Sequence, residues 1–227
     1  MRHVLTLAWF GLASCALAQH AGDISLIVEP NGKMRTARQV VLPSGKTLTL
    51  PERVFPAEFS DLGGVVFSDE PGWDVQDGTL PASSLLGFDI HKALRVSDGS
   101  GFGTIPAETL TIELGPQSRT TPGSDVIVPG FGLKVDEEGG LHAHFEYVLD
   151  PPASTGVYLL ELSMWSDAGL TGTRPFWIVF NHGMDELTHD EAVFWVYSNY
   201  VPSPGAAAVV LGLGVFSLGR RRGVNSA

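Results

Sequence analysis

From residue 23 to residue 180 the chain keeps one rhythm. A short apolar or alternating segment is followed by a cluster of Gly, Pro, Asn, Asp or Ser, and the unit recurs about every ten residues. Segments this short are too brief for stable helices, and alternation with a period of two half-buries a strand. Residues 24–28, 34–42 and 46–50 open the series, separated by Pro30-Asn31-Gly32 and Pro43-Ser44-Gly45. Asn-Gly readily supplies the positive φ that a tight hairpin turn needs. Residues 51–81 read as loop, with 65–67 the one clear strand among them. Further strands are expected at 85–90, 93–96, 126–128 and 131–135, and Leu110, Ile112 and Leu114 alternate with Thr111 and Glu113. Residues 157–164 and 176–180 are apolar on both faces, as strands covered from both sides should be. The expected fold is mostly β, a β-sandwich or jelly-roll-like domain.

One segment departs from the rhythm. Thr188 and Glu191 have capping-box spacing, and Val193, Val196 and Tyr200 then share one helical face. The spacing predicts a single helix over 185–199 on the edge of the sandwich. Val201-Pro202-Ser203-Pro204 ends it, because proline cannot donate the amide hydrogen bonds a continuing helix requires.

The two ends differ in composition from everything between them. Residues 1–18 and 201–227 hold four of the 14 Lys and Arg and none of the 25 Asp and Glu, so the middle carries ten basic against 25 acidic residues, a net charge of −15. That balance excludes nucleic acid as a partner. At the N-terminus, Arg2 precedes an apolar stretch that ends in Ala16-Leu17-Ala18, a small-x-small pattern. A secretory signal peptide over 1–18 is the expectation, cleaved so that Gln19 leads the mature chain. A rival lies inside it: Leu12-Ala13-Ser14-Cys15 resembles a lipobox, in which Cys15 would be lipidated. If Cys15 is instead removed with the leader, no cysteine remains and disulfides are excluded. The folded middle, 19–200, reads as one domain.

At the C-terminus, Pro202 and Pro204 bracket a tip, residues 205–219 form an apolar run, and Arg220, Arg221 and Arg222 follow. Fifteen helical residues reach about 22 Å, short of the ~30 Å bilayer core, and an arginine cluster holds that end on the cytoplasmic side. This order resembles the PEP-CTERM sorting signal of exosortase-processed bacterial proteins. The resemblance covers residues 201–227, with Ser203 where the family has Glu. It implies transient anchoring in the inner membrane by a short hydrophobic helix, handling by an exosortase-type sorting enzyme, and delivery to the cell envelope or extracellular matrix. Exopolysaccharide or other envelope components would then be its partners.

No nucleophile elbow, phosphate loop or His-Glu-x-x-His helix is present, so the expected action is binding or structure, not catalysis. The most chemically suggestive pattern is His142-x-His144-x-Glu146. If residues 141–149 form one strand, Leu141, Ala143, Phe145, Tyr147 and Leu149 face the core, and the three polar residues share the other face. Imidazole and carboxylate are ligands for zinc or a similar ion, with further ligands sought from His20 beside Asp23, from His182 or from His189. The competing reading of the same pattern is a solvated polar strand face. No cofactor is required by the sequence, and zinc is the one it suggests. Acidic turns at 74–78, 98–99 and 136–138 lack EF-hand spacing and read as solvated turns, with calcium the alternative. Trp73, Trp165 and Trp177 either fill the core or form the platform of a carbohydrate-binding module.

Overall fold

The structure, a computed structural model, describes residues 22–202. The expected leader with Ala16, Ala18 and Cys15, the candidate ligand His20, and Pro204, Arg220, Arg221 and Arg222 of the tail lie outside the described residues. Pro202, the last of them, is exposed.

The described chain is mostly strand with one C-terminal helix, as the rhythm predicts. A three-stranded antiparallel sheet comes first, formed by β1 (Ser25–Val28), β2 (Met34–Val41) and β3 (Thr47–Pro51). Its first turn uses Asn31-Gly32 as expected, with Gly32 at φ +79° and its amide donating to the Glu29 carbonyl. Residues 51–81 contain more strand than their composition suggests: β4 (Val54–Glu58), β5 (Ser60–Leu62), β6 (Val65–Ser68) and β7 (Trp73–Val75). Then come β8 (Leu85–Ile90), β9 (Arg95–Val96), β10 (Leu110–Leu114), β11 (Gln117–Thr120) and β12 (Val128–Lys134). The last strands are β13 (Leu141–Ala143), β14 (Glu146–Leu149), β15 (Gly156–Ser166) and β16 (Phe176–His182), and α1 (Glu186–Tyr200) follows them.

Two larger sheets carry the core. One runs β11-β10-β14-β6-β5, the other β12-β8-β15-β16-β4, with β9 also on β15. A continuous apolar cluster draws on both: Ile112 and Tyr147 from the first, Phe88, Leu160, Met164, Ile178 and Phe180 from the second. The alternate residues of the central strands face the other way. Val157, Leu159, Trp177 and Val179 form a second cluster with Ala192 and Val196 of α1. This explains why 157–164 and 176–180 are apolar on both faces: one face joins the cluster shared by the two sheets and the other meets the helix.

Two expectations are corrected. The helix is capped by Asp185, not Thr188. Asp185 Oδ1 accepts from the Thr188 amide at 3.0 Å and Oδ2 from the Thr188 hydroxyl at 2.8 Å. An aspartate at the N-cap reaches the N3 amide directly, which leaves Thr188 inside the first turn. Residues 141–149 are two strands in two sheets. β13 pairs with β7, whereas β14 pairs with β10 and β6. The chain changes partner at His144-Phe145, where the buried Phe145 ring lies 4.8 Å from Trp73 and 6.1 Å from Phe88. That anchorage turns the backbone out of one sheet and into the next.

Candidate metal centre

The short strand β7 organises the site. On one side it forms a parallel bridge, Trp73 to Ile24, with the Ile24 amide donating to the Gly72 carbonyl at 2.8 Å and the Asp74 amide to the Ile24 carbonyl at 3.0 Å. On the other side it pairs antiparallel with β13, setting His142 opposite Asp74 and Ala143 opposite Trp73. The residue before Ile24 and the residue after Ala143 therefore emerge at the same end of β7, over Gly72.

Those residues are Asp23 and His144. Together with His142 they offer one ligand atom each, all within 4.8 Å of one another. Asp23 is 1% exposed, and its Oδ1 accepts from the Gly72 amide at 2.8 Å, which fixes the carboxylate from behind. His144 is half-buried, with Nδ1 3.2 Å from the Asp69 carbonyl and 3.7 Å from Glu70 Oε1. The His142 side chain is 50% exposed, with Nδ1 3.8 Å from Asp74 Oδ1. Asp74 is itself held by Gln39, whose Nε2 donates to Oδ2 at 3.0 Å. The two imidazoles stand 5.0 Å apart, ring centre to ring centre.

Glu70 closes the remaining side. Its Oε2 accepts from the Gly72 amide at 3.2 Å. Burial raises its pKa above the ordinary carboxylate range, and a hydrogen bond with Asp23 and the charge of Asp23 push it the same way. A carboxylate pair in a half-buried corner beside two imidazoles is the electrostatic arrangement that a cation relieves. Zinc takes nitrogen ligands at about 2.0–2.1 Å and carboxylate oxygens at about 2.0–2.2 Å, so tetrahedral ligand atoms stand about 3.4 Å apart. Donors within 4.8 Å of one another would have to close by about 1.4 Å at most to reach that spacing.

The other sequence-level ligands lie elsewhere. Glu146 is on β14, exposed, in register with Glu113, and the break in 141–149 keeps it out of the group around Asp23. His182 ends β16, its Nδ1 3.0 Å from the Ser154 carbonyl and its ring edge-on to Phe59. His189 is buried in α1, bonded to the Val179 carbonyl at 2.9 Å and facing Glu58 Oε1 at 3.0 Å. Asp23 entered the sequence reading only as the neighbour of His20. The bridge that delivers it joins residues 24 and 73, and no local pattern announces such a contact. Among the acidic turns, Asp98 Oδ1 accepts from the Ser100 and Gly101 amides and Asp136 Oδ1 from the Gly140 amide, so these carboxylates tie loops. Trp73 and Trp177 are buried in the two apolar clusters, not displayed as a stacking platform.

No protein-family model matches the chain, and no curated protein matches it in sequence. Among the described residues no helix is long and apolar enough to cross a membrane.

Proposed function

We propose that this chain is an exported protein whose middle, a β-sandwich covered on one face by α1, binds a divalent transition metal, zinc, and acts by binding and not by catalysis. The observation that carries the reading is the convergence of Asp23 with His142 and His144, three donors from two distant parts of the chain, within 4.8 Å. Two imidazoles and a carboxylate suit zinc among the common divalent ions, and Glu70 or a water supplies the fourth position. Asp74, 3.8 Å from His142 Nδ1, orients that ring from behind, and Glu70, 3.7 Å from His144 Nδ1, does the same for His144 where a water takes the fourth position. The signal-like N-terminus and the resemblance of residues 201–227 to a PEP-CTERM tail support delivery to the cell envelope by an exosortase-type enzyme.

Elemental analysis and zinc titration of the mature exported protein test the metal. The expected result is one zinc per chain, with a melting temperature that rises with zinc, and loss of both in His144→Ala. At about 100-fold excess over the dissociation constant, a folded-state ligand adds about 2.7 kcal/mol of stability. A purified protein that holds no metal and does not respond to zinc overturns the reading. Mass spectrometry of the released protein tests the sorting: an intact C-terminus including Arg222 contradicts it.

A further inference from the structure

A second site lies on residues that the metal centre does not use. A cavity of about 570 Å³ is lined by β2, by the 51–53 segment that leads into β4, by Arg174 just before β16 and by the C-terminal end of α1. Its volume is that of a small-molecule site, and Pro51, Tyr197, Val201 and Pro202 contribute carbon surface. Its charge is opposite to that of the protein. Of the ten Lys and Arg in residues 19–200, which carry 25 Asp and Glu, four line this one cavity: Lys33, Arg35, Arg53 and Arg174.

The two acidic residues in the wall are already committed. Glu29 pairs with Arg35 at 3.0 Å. Glu52 Oε1 accepts from the Arg53 amide at 2.7 Å and the Val54 amide at 3.2 Å, and its Oε2 faces Arg38 at 3.7 Å. Among the described residues neither Lys33 nor Arg174 has a carboxylate within 4.0 Å. Arg53 is held in place, since Nε and Nη2 donate to the Pro175 carbonyl and its guanidinium lies 4.8 Å from the centre of the Trp177 ring. Burial lowers the pKa of Arg53, and the nearby charge of Arg174 lowers it further, against a smaller opposing pull from Glu161.

We propose that this cavity binds a small organic anion, its carboxylate or phosphate held by Arg53 and Arg174 with Lys33, and its carbon skeleton against Tyr197, Pro51 and Val201. A fixed guanidinium matches the geometry of either oxyanion with paired hydrogen bonds. The cavity is larger than a bare inorganic ion needs, so the anionic group is part of a larger molecule. An extended polyanion is disfavoured because the rest of the surface repels it, whereas a small anion meets only the local field.

Isothermal titration of the metal-free exported protein at fixed ionic strength tests the proposal, with glucuronate and inorganic phosphate as probes and glucose as the neutral control. Saturable binding of either anion is expected, with none of glucose. Glucuronate alone points to a planar carboxylate and phosphate alone to a tetrahedral head group. Arg174→Gln and Lys33→Gln, whose parent side chains make no hydrogen bond or ion pair among the described residues, each weaken that binding tenfold or more, whereas Lys46→Gln in the exposed β2–β3 turn leaves it unchanged. Silence of both anions, equal binding of glucose and glucuronate, or unchanged affinity in a folded Arg174→Gln protein overturns the proposal. None of these outcomes depends on whether zinc is bound at Asp23, His142 and His144.

Discussion

Asp23 and His144 approach one another over a side chain that is missing. A Cβ placed on Gly72 would lie 3.0 Å from Asp23 Oδ1, 2.9 Å from His144 Nδ1 and 2.9 Å from the Ala143 carbonyl oxygen. The two donors can share an ion only because residue 72 has no substituent, and the same residue's amide holds the Asp23 carboxylate.

Gly72→Ala is therefore expected to act on both fold and site. The Ala143 oxygen is backbone and cannot swing aside, so β13 must shift, at a cost of about 1–3 kcal/mol. Zinc affinity, read by titration, should fall tenfold or more. Gly22→Ala is the control one residue from Asp23: among the described residues nothing lies within 4 Å of its added methyl. It should bind zinc as the parent does, and equal losses in the two variants would sink the argument from Gly72.

The ligand set can be separated residue by residue. Outer-shell partners alone are commonly worth 10–100-fold in affinity, so losing a direct ligand through Asp23→Asn, His142→Ala or His144→Ala should cost about 100-fold or more. Glu146→Gln and His182→Ala, which change residues outside the cluster, should leave the titration curve in place. A loss in Glu146→Gln as large as in His144→Ala would return the site to the single-strand arrangement.

His189 makes a contrasting case. It is buried, bonded to the Val179 carbonyl and set against Glu58, so it fastens α1 to β16. His189→Ala leaves that carbonyl without its partner and opens a void, for about 2 kcal/mol lost in urea unfolding. Zinc binding should be unaffected. A variant with unchanged stability and weakened zinc affinity would show that the ring serves the metal.

What could be read from the sequence was what depends on neighbours in the chain. The alternation of Leu110, Ile112 and Leu114 gives β10, the double-sided apolar runs give β15 and β16, and Asn31-Gly32 gives the first hairpin. Strand β4 escaped because Pro56 interrupts it. Proline is tolerated there because β4 is an edge strand, paired in parallel with β16 across more than a hundred residues. The site followed the same division. His142 and His144 were visible as a pair because alternate residues share a strand face. Asp23 and Gly72 were not, because a parallel bridge from residue 24 to residue 73 brings them there, and no local period encodes it. A period of two carried through 141–149 puts Glu146 beside the histidines, but the chain leaves one sheet for another there, and Glu146 stands apart from the group of Asp23, His142 and His144.

The cap of α1 offers a pH test on a residue that belongs to neither proposed site. The turn before it is fixed by Asn181, which donates to the Met184 carbonyl at 3.0 Å and accepts from the Met184 amide at 3.1 Å, and Asp185 then opens the helix. Hydrogen bonds from the Thr188 amide and hydroxyl hold the Asp185 carboxyl below its ordinary pKa. The unfolded chain therefore takes up the proton first as pH falls. The stabilisation is complete above the unfolded value of about 3.9 and fades as pH drops through the lower folded value. Asp185→Asn keeps an acceptor for the Thr188 amide but has no charge to meet the positive end of the helix. It should melt below the parent at pH 7, and the gap should narrow steadily below about pH 4. A gap of the same size at pH 7 and pH 3 would mean that the charge of Asp185 contributes nothing, and that only its shape caps the helix.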